Sequence, residues 1–169
     1  MHTSRGFGLV EVVVGAAILS VAFVGLAAAF QLALQVNRDT LHNLQAHFLL
    51  EEGVEVMRLL RDQSWENIST LSTTTSYSIV FENGTWATST DEMFISNMFK
   101  RTVTIEDVYR DSTDDITQNG GTYDPGTRKV SVSIARSDGM ATTTKQWTRT
   151  LLIYLNDEIY VRTTRIYTF

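Results

Sequence analysis

The chain has 169 residues, with 14 Lys and Arg against 19 Asp and Glu for a net charge of −5. That balance lacks the basic footprint of a nucleic-acid binder, so no DNA or RNA partner is expected. The absence of cysteine excludes disulfides, Cys-based zinc sites and thiol chemistry, and a single proline argues against a disordered chain.

Residues 1–6 (MHTSRG) form a short polar leader with one firm positive charge, Arg5. Positive flanks stay in the cytoplasm, which predicts an N-terminus inside and the rest of the chain outside. Residues 7–36 form an apolar run in which Glu11 is the only charged residue between Arg5 and Arg38. From Val12 onward the run is long enough to cross a bilayer as a helix. A carboxylate at the edge of such a segment is costly to desolvate and marks a functional candidate. No Lys, Arg or His lies within the run, so its expected partner is a cation carried by another molecule. The plainer alternative is a carboxylate snorkelling at headgroup level.

From Asn37 to about Gln63 the pattern becomes amphipathic, with Leu41, Leu44, Phe48, Leu49, Leu50, Val54, Met57 and Leu60 recurring at threes and fours. Nothing signals a stop at Val36, so one continuous helix from about Phe7 to about Asp62 is predicted. Leu44, Phe48, Met57 and Leu60 are expected to cover a sheet. Residues 64–76 read as a linker, Ser/Thr-rich from Asn67, and beyond it the period changes to two. Ser78–Phe81 and Trp86–Thr88 flank Asn83-Gly84 as a hairpin with a type I′ turn. Arg101–Tyr109 and Arg128–Ala135 alternate, residues 111–127 read as a polar loop, and Trp147–Leu155 with Ile159–Thr168 reads as a last hairpin. The fold class is α+β: one long N-terminal helix, membrane-spanning in its first half and amphipathic in its second, packed on a C-terminal antiparallel β-sheet. The division is leader 1–6, transmembrane and assembly helix 7–36, and an extracytoplasmic domain 37–169 made of helix 37–63, linker 64–76 and sheet 77–169.

Other clusters invite chemistry less strongly. Asp111, Asp114, Asp115, Asn119 and Asp124 crowd one loop with oxygen ligands that suit Ca²⁺, but the spacing matches no EF-hand and a solvated turn is the favoured reading. His42 and His47 fall on different helix faces and read as surface histidines, so no metal or other cofactor is expected. Asn67-Ile68-Ser69 and Asn83-Gly84-Thr85 match glycosylation sequons, a pattern common by chance. Trp65, Trp86 and Trp147 read as packing residues. No G-x-S-x-G, Walker A, H-E-x-x-H or dinucleotide fingerprint occurs, so no catalytic residue is expected and the chain reads as a non-enzyme. Ala27-Ala28-Ala29 leaves open a secretory signal cleaved before Phe30, although Glu11 inside the apolar stretch is awkward for it.

Arg5, Gly6, Phe7, Gly8-Leu9-Val10 and Glu11, ahead of the long apolar run, resemble the signal and methylation motif of type IV pilins and pseudopilins. The resemblance covers residues 1–36. It implies cleavage after Gly6 by a prepilin peptidase, which then methylates the new amino group of Phe7. It also implies that Phe7 and Glu11 carry subunit assembly, the Phe7 ammonium of one subunit meeting Glu11 of its neighbour. Leaving one member of such a buried pair alone costs about 3–5 kcal/mol. Gly15, Ala16, Ala17, Gly25 and Ala27–Ala29 would allow close helix approach.

Many family members carry proline where this chain has Ala28, and the C-terminal disulfide of many pilins is impossible here. With Glu51-Glu52-Gly53-Val54-Glu55 and a Thr-rich sheet, the resemblance is greatest to minor pilins of the PilV type. The implied function is a structural subunit, a minor pilin or pseudopilin, of a type IV pilus or related filament. The implied partners are other pilin subunits, the prepilin peptidase/methyltransferase, an inner-membrane assembly platform, and membrane lipid before assembly. The implied location is the inner membrane first and an extracellular filament afterwards. The alternative is a single-pass membrane-anchored outer domain that binds or adheres without polymerising.

Overall fold

A computed structural model describes residues 8–118, 120–137 and 143–155. The leader, Phe7, Asn119 and the expected strand Ile159–Thr168 lie outside them. Helix α1 runs from Leu9 to Gln63. No proline interrupts it, and the hydroxyls of Ser20 and Thr40 donate to the carbonyls of Ala16 and Val36, both at 2.8 Å. Such back-bonding keeps a polar side chain satisfied inside an apolar helix. The chain divides into two compact units, one ending at Leu44 and the other beginning at Gln45.

In the first unit α1 exposes apolar side chains all round, from Leu9 and Val10 to Phe30 and Leu32. It is long and apolar enough to cross a membrane. A helix that is hydrophobic on every side belongs in lipid or among other helices.

In the second unit, the remainder of α1 packs on an antiparallel sheet. Strands β1 (Ser76–Glu82), β2 (Thr85–Ser89), β4 (Phe99–Arg110), β6 (Thr122–Ser137) and β7 (Thr143–Tyr154) lie in the order β2-β1-β4-β6-β7. Two short strands, β3 (Phe94–Ile95) and β5 (Ile116–Thr117), pair with β4. The α+β architecture is the one the change of period predicts. Asn83 and Gly84, with φ of 52° and 80°, close the β1–β2 hairpin as a type I′ turn requires.

Ala46, Leu50, Gly53, Val54, Met57 and Leu60 form the buried stripe of α1. They meet Val103 and Ile105 of β4, Val130, Val132 and Ile134 of β6, and Ile153 of β7 in one core. Met57 and Leu60 are buried as expected, whereas Leu44 and Phe48 are 51% and 67% exposed. Each lies two residues before a buried position, about 200° round the helix. Apolar residues occupy both faces here, so recurrence at threes and fours does not say which face is covered.

Two further expectations change. The linker contains a helical turn, α2 (Glu66–Ser69), which places Ile68 fully inside. The polar loop 111–127 is partly strand: Thr122–Asp124 pair with Val108–Arg110, and a shift at Asp107/Val108 displaces Pro125-Gly126-Thr127 from that ladder. Proline is tolerated where no ladder N–H is needed. Gly121, at φ 97°, turns so close to the Arg110 carbonyl that a Cβ would lie 2.6 Å from its oxygen.

Asp124 ties this end of the sheet together. Its carboxylate accepts from Arg110 Nε (2.7 Å), Thr127 Oγ1 (2.6 Å) and Gly126 N–H (2.9 Å). Burial pushes its pKa up, but the bonds from Thr127, Arg110 and Gly126 outweigh burial and hold it below the ordinary value. A lowered folded pKa contributes stability that is present above about pH 4 and lost as pH falls through the folded value. Amide exchange at Tyr123 and Thr127 is therefore expected to quicken below about pH 4 before the rest of β6. Asp124→Asn should cost about 1.5–3 kcal/mol at neutral pH and remove that acid step. Unchanged exchange in acid would refute the assignment.

Candidate functional site

Gly8 stands immediately before α1, and Glu11 is its third residue. The Gly8 carbonyl accepts from the N–H groups of Glu11 (3.0 Å) and Val12 (3.4 Å), and Glu11 Oε2 accepts from the Gly8 N–H at 3.0 Å. This is the carboxylate half of a capping box, with glycine in place of Ser or Thr at the cap. The carboxylate also lies at the positive end of the helix dipole. One of its oxygens is thus placed by the chain's own first turn. Sequence reasoning treated Glu11 as a partner for another molecule and missed this local role, although Gly-x-x-Glu has the cap spacing. Gly6 and Phe7 lie outside the described residues. Around Gly15 and Gly25 a Cβ would meet nothing within 4 Å.

The other candidates are occupied by structure. Asp111 Oδ1 accepts from the N–H groups of Thr113 (2.8 Å) and Asp115 (3.1 Å) and from the Thr113 hydroxyl (2.7 Å). Those bonds, led by the Thr113 hydroxyl, lower its pKa. Asp124 is engaged as described, and Asp114 lies 3.7 Å from Arg110. Among the described residues no three His, Asp or Glu gather as a metal ion needs. His47 meets the edge of Trp147, with ring centroids 6.5 Å apart. Asn67 donates its side-chain N–H to the Leu60 carbonyl at 3.0 Å, closing the end of α1. Trp65, Trp86 and Trp147 are partly buried against the core.

The run Glu51-Glu52-Gly53 is a fastening. Glu51 pairs with Arg149 of β7, and Glu52 pairs with Arg101 of β4 at 2.5 Å. Arg101 is 4% exposed, also donates to the Leu49 carbonyl at 3.3 Å, and stacks against Trp86 at 5.9 Å. Arg128 is the second buried arginine: it pairs with Asp107 at 3.2 Å, donates to the Ser69 carbonyl at 3.2 Å, and lies 5.3 Å from the Tyr123 ring centroid. Sequence reasoning singled out neither, yet each shares strand parity with core valines and isoleucines.

Comparison with known families matches residues 1–27 to the prokaryotic N-terminal methylation motif. No curated protein and no solved structure matches the chain. The match places a motif of pilin precursors, the substrates of prepilin peptidase, at the N-terminus, which points to a structural subunit rather than an enzyme. The chain carries the N-terminal methylation motif that is the type IV pilin signal, at the head of an apolar helix able to span a membrane.

Proposed function

We propose that the chain is a minor pilin or pseudopilin, a structural subunit of a type IV pilus or related filament. The observation that carries the reading is the methylation motif over residues 1–27, with Glu11 held at the first turn of an exposed apolar helix. Prepilin peptidase cuts after Gly6 and methylates Phe7. Before assembly the subunit sits in the inner membrane, N-terminus inside, with the sheet domain outside. Assembly transfers α1 from lipid to the helices of neighbouring subunits through the inner-membrane platform. There the Phe7 ammonium of one subunit meets Glu11 of another, and two costly charges compensate each other.

Intact-mass analysis of protein from its native host tests the processing step. The expected chain begins at methylated Phe7. A mature start at Phe30 or an uncleaved Met1 would overturn it. Deleting the gene and imaging the filaments tests the function class: unchanged filaments, with the protein retained in the membrane, would make it an anchored, non-polymerising domain.

A further inference from the structure

In the second unit, the side of α1 nearest the β1–β2 hairpin forms an open groove of about 440 Å³. Its apolar part is Val56, Leu59 and Trp86, with Leu59 42% exposed. Trp86 stacks on Phe81, itself 59% exposed, with ring centroids 5.0 Å apart. Three carboxylates, Glu52, Glu55 and Asp62, line the groove against the single cation Arg58. The counter-charge of Glu52 is the buried Arg101, so the acid is the member that faces out. An apolar floor with an acidic rim fits a cationic head carried on an apolar body.

The opposite end of the strand order presents that chemistry. On β7, Lys145 Nζ lies 5.4 Å from the Trp147 ring centroid, and Arg136 of β6 is the cross-strand neighbour of Lys145. Trp147 is half-buried, with His47 against its edge. One end of the sheet is thus an acidic, tryptophan-lined groove, and the other is a basic edge built on a tryptophan. Two different, complementary surfaces on one molecule make a head-to-tail contact, which extends into a ring or an open helix rather than closing as a two-fold dimer.

We infer that the groove beside Trp86 receives the Lys145–Trp147 edge of a second copy of this chain. Lys145 reaches the carboxylates of Glu55 and Asp62, and Trp147 lies against Leu59. The contact belongs to the sheet domain and adds a lateral registration to the proposed filament role, on which its setting rests.

The chain has no cysteine, so paired substitutions report unambiguously. Leu59→Cys and Gln146→Cys together, in the full chain in host membranes, should give a ladder of dimers, trimers and higher multiples with a short bis-maleimide. Each single variant should stop at the dimer or below. Glu55→Lys or Lys145→Glu in the double-cysteine background should each reduce the ladder at least tenfold, and the two together should restore it. A missing ladder, a ladder indifferent to Glu55→Lys, or cross-links only to a different protein would overturn the contact. The N-terminus of the same material is read alongside. A chain correctly starting at Phe7 without a ladder sinks the contact alone, whereas a ladder from an unprocessed chain sinks the filament reading and leaves the contact standing.

Discussion

Glu11→Ala is expected to leave membrane insertion intact and to cut filament incorporation about a hundredfold or more. Insertion is spared because the substitution removes a costly charge from an apolar segment. Cleavage, which is assigned to Gly6, should persist. The loss arises because the Phe7 ammonium of a neighbour would enter an apolar bundle with no anion to meet it. A penalty of about 3–5 kcal/mol corresponds to two or more powers of ten. The Gly8 N–H bond makes the comparison with Glu11→Gln more informative. Alanine deletes both the cap and the charge, whereas glutamine keeps an oxygen for Gly8 and deletes only the charge. The glutamine variant should therefore retain the first turn of α1 and still fail to assemble. Membrane-pool and sheared-filament fractions of the three proteins are the measurement. Wild-type incorporation of both variants would return Glu11 to a purely local role.

Gly53→Ala is expected to destabilise the sheet domain even though alanine is the better helix former. A Cβ at this position would lie 2.8 Å from Val132 Cγ1 and 3.0 Å from Arg101 Cδ. Val132 is fully buried and stiff at χ1, and Arg101 is pinned by Glu52 and Leu49, so neither neighbour can yield cheaply. Overpacking costs about 1–3 kcal/mol, and helix propensity returns at most about 1 kcal/mol. The net loss should lower the melting temperature of the second unit by several degrees, on the order of 2–8 °C. Gly53→Leu should be worse. Gly25→Ala is the control: with open space around its Cβ, it should leave that melt where it is. A rise in melting temperature for Gly53→Ala would mean that helix and sheet can separate without penalty.

The helix, the Asn-Gly hairpin and the long strands were legible because each rests on a local rule: apolar length, a left-handed turn pair, or alternation. Alternation also held the positions of the buried arginines. Arg101 shares parity with Val103 and Ile105, and Arg128 with Val130, Val132 and Ile134. Strand parity assigns a face whatever the side chain, and an arginine tolerates the inward face only where Glu52 or Asp107 waits to meet it. That meeting joins residues 49 and 21 positions apart, so no local pattern announces it. The reversal of Leu44 and Phe48 has a related origin. A helix apolar on two sides takes its buried face from its partner, and Gly53 marks that face by allowing close approach. Residues 111–127 misled because Asp, Thr and Gly look like loop in composition. Their pairing with β4 depends on a displaced Pro125-Gly126-Thr127 and a tight turn at Gly121. For the site, the Gly-Phe and Glu11 spacing was readable throughout, but the bond from Glu11 to Gly8 needed the geometry.

The saddle formed at Glu51, Glu52 and Gly53 has a mechanical consequence. Glu51 holds β7 and Glu52 holds β4, the two strands on either side of β6, while Gly53 rests on Val132 of β6 itself. A helix seated on one strand and strapped to both of its neighbours can neither roll nor slide along the sheet. Tension drawn along α1 in this unit is delivered to three adjacent strands at once. Long antiparallel ladders from Phe99 to Arg110 and from Thr127 to Ser137 join those strands. The load is spread over many hydrogen bonds instead of peeling one strand from the edge, so the fastening suits a domain that is pulled by its helix.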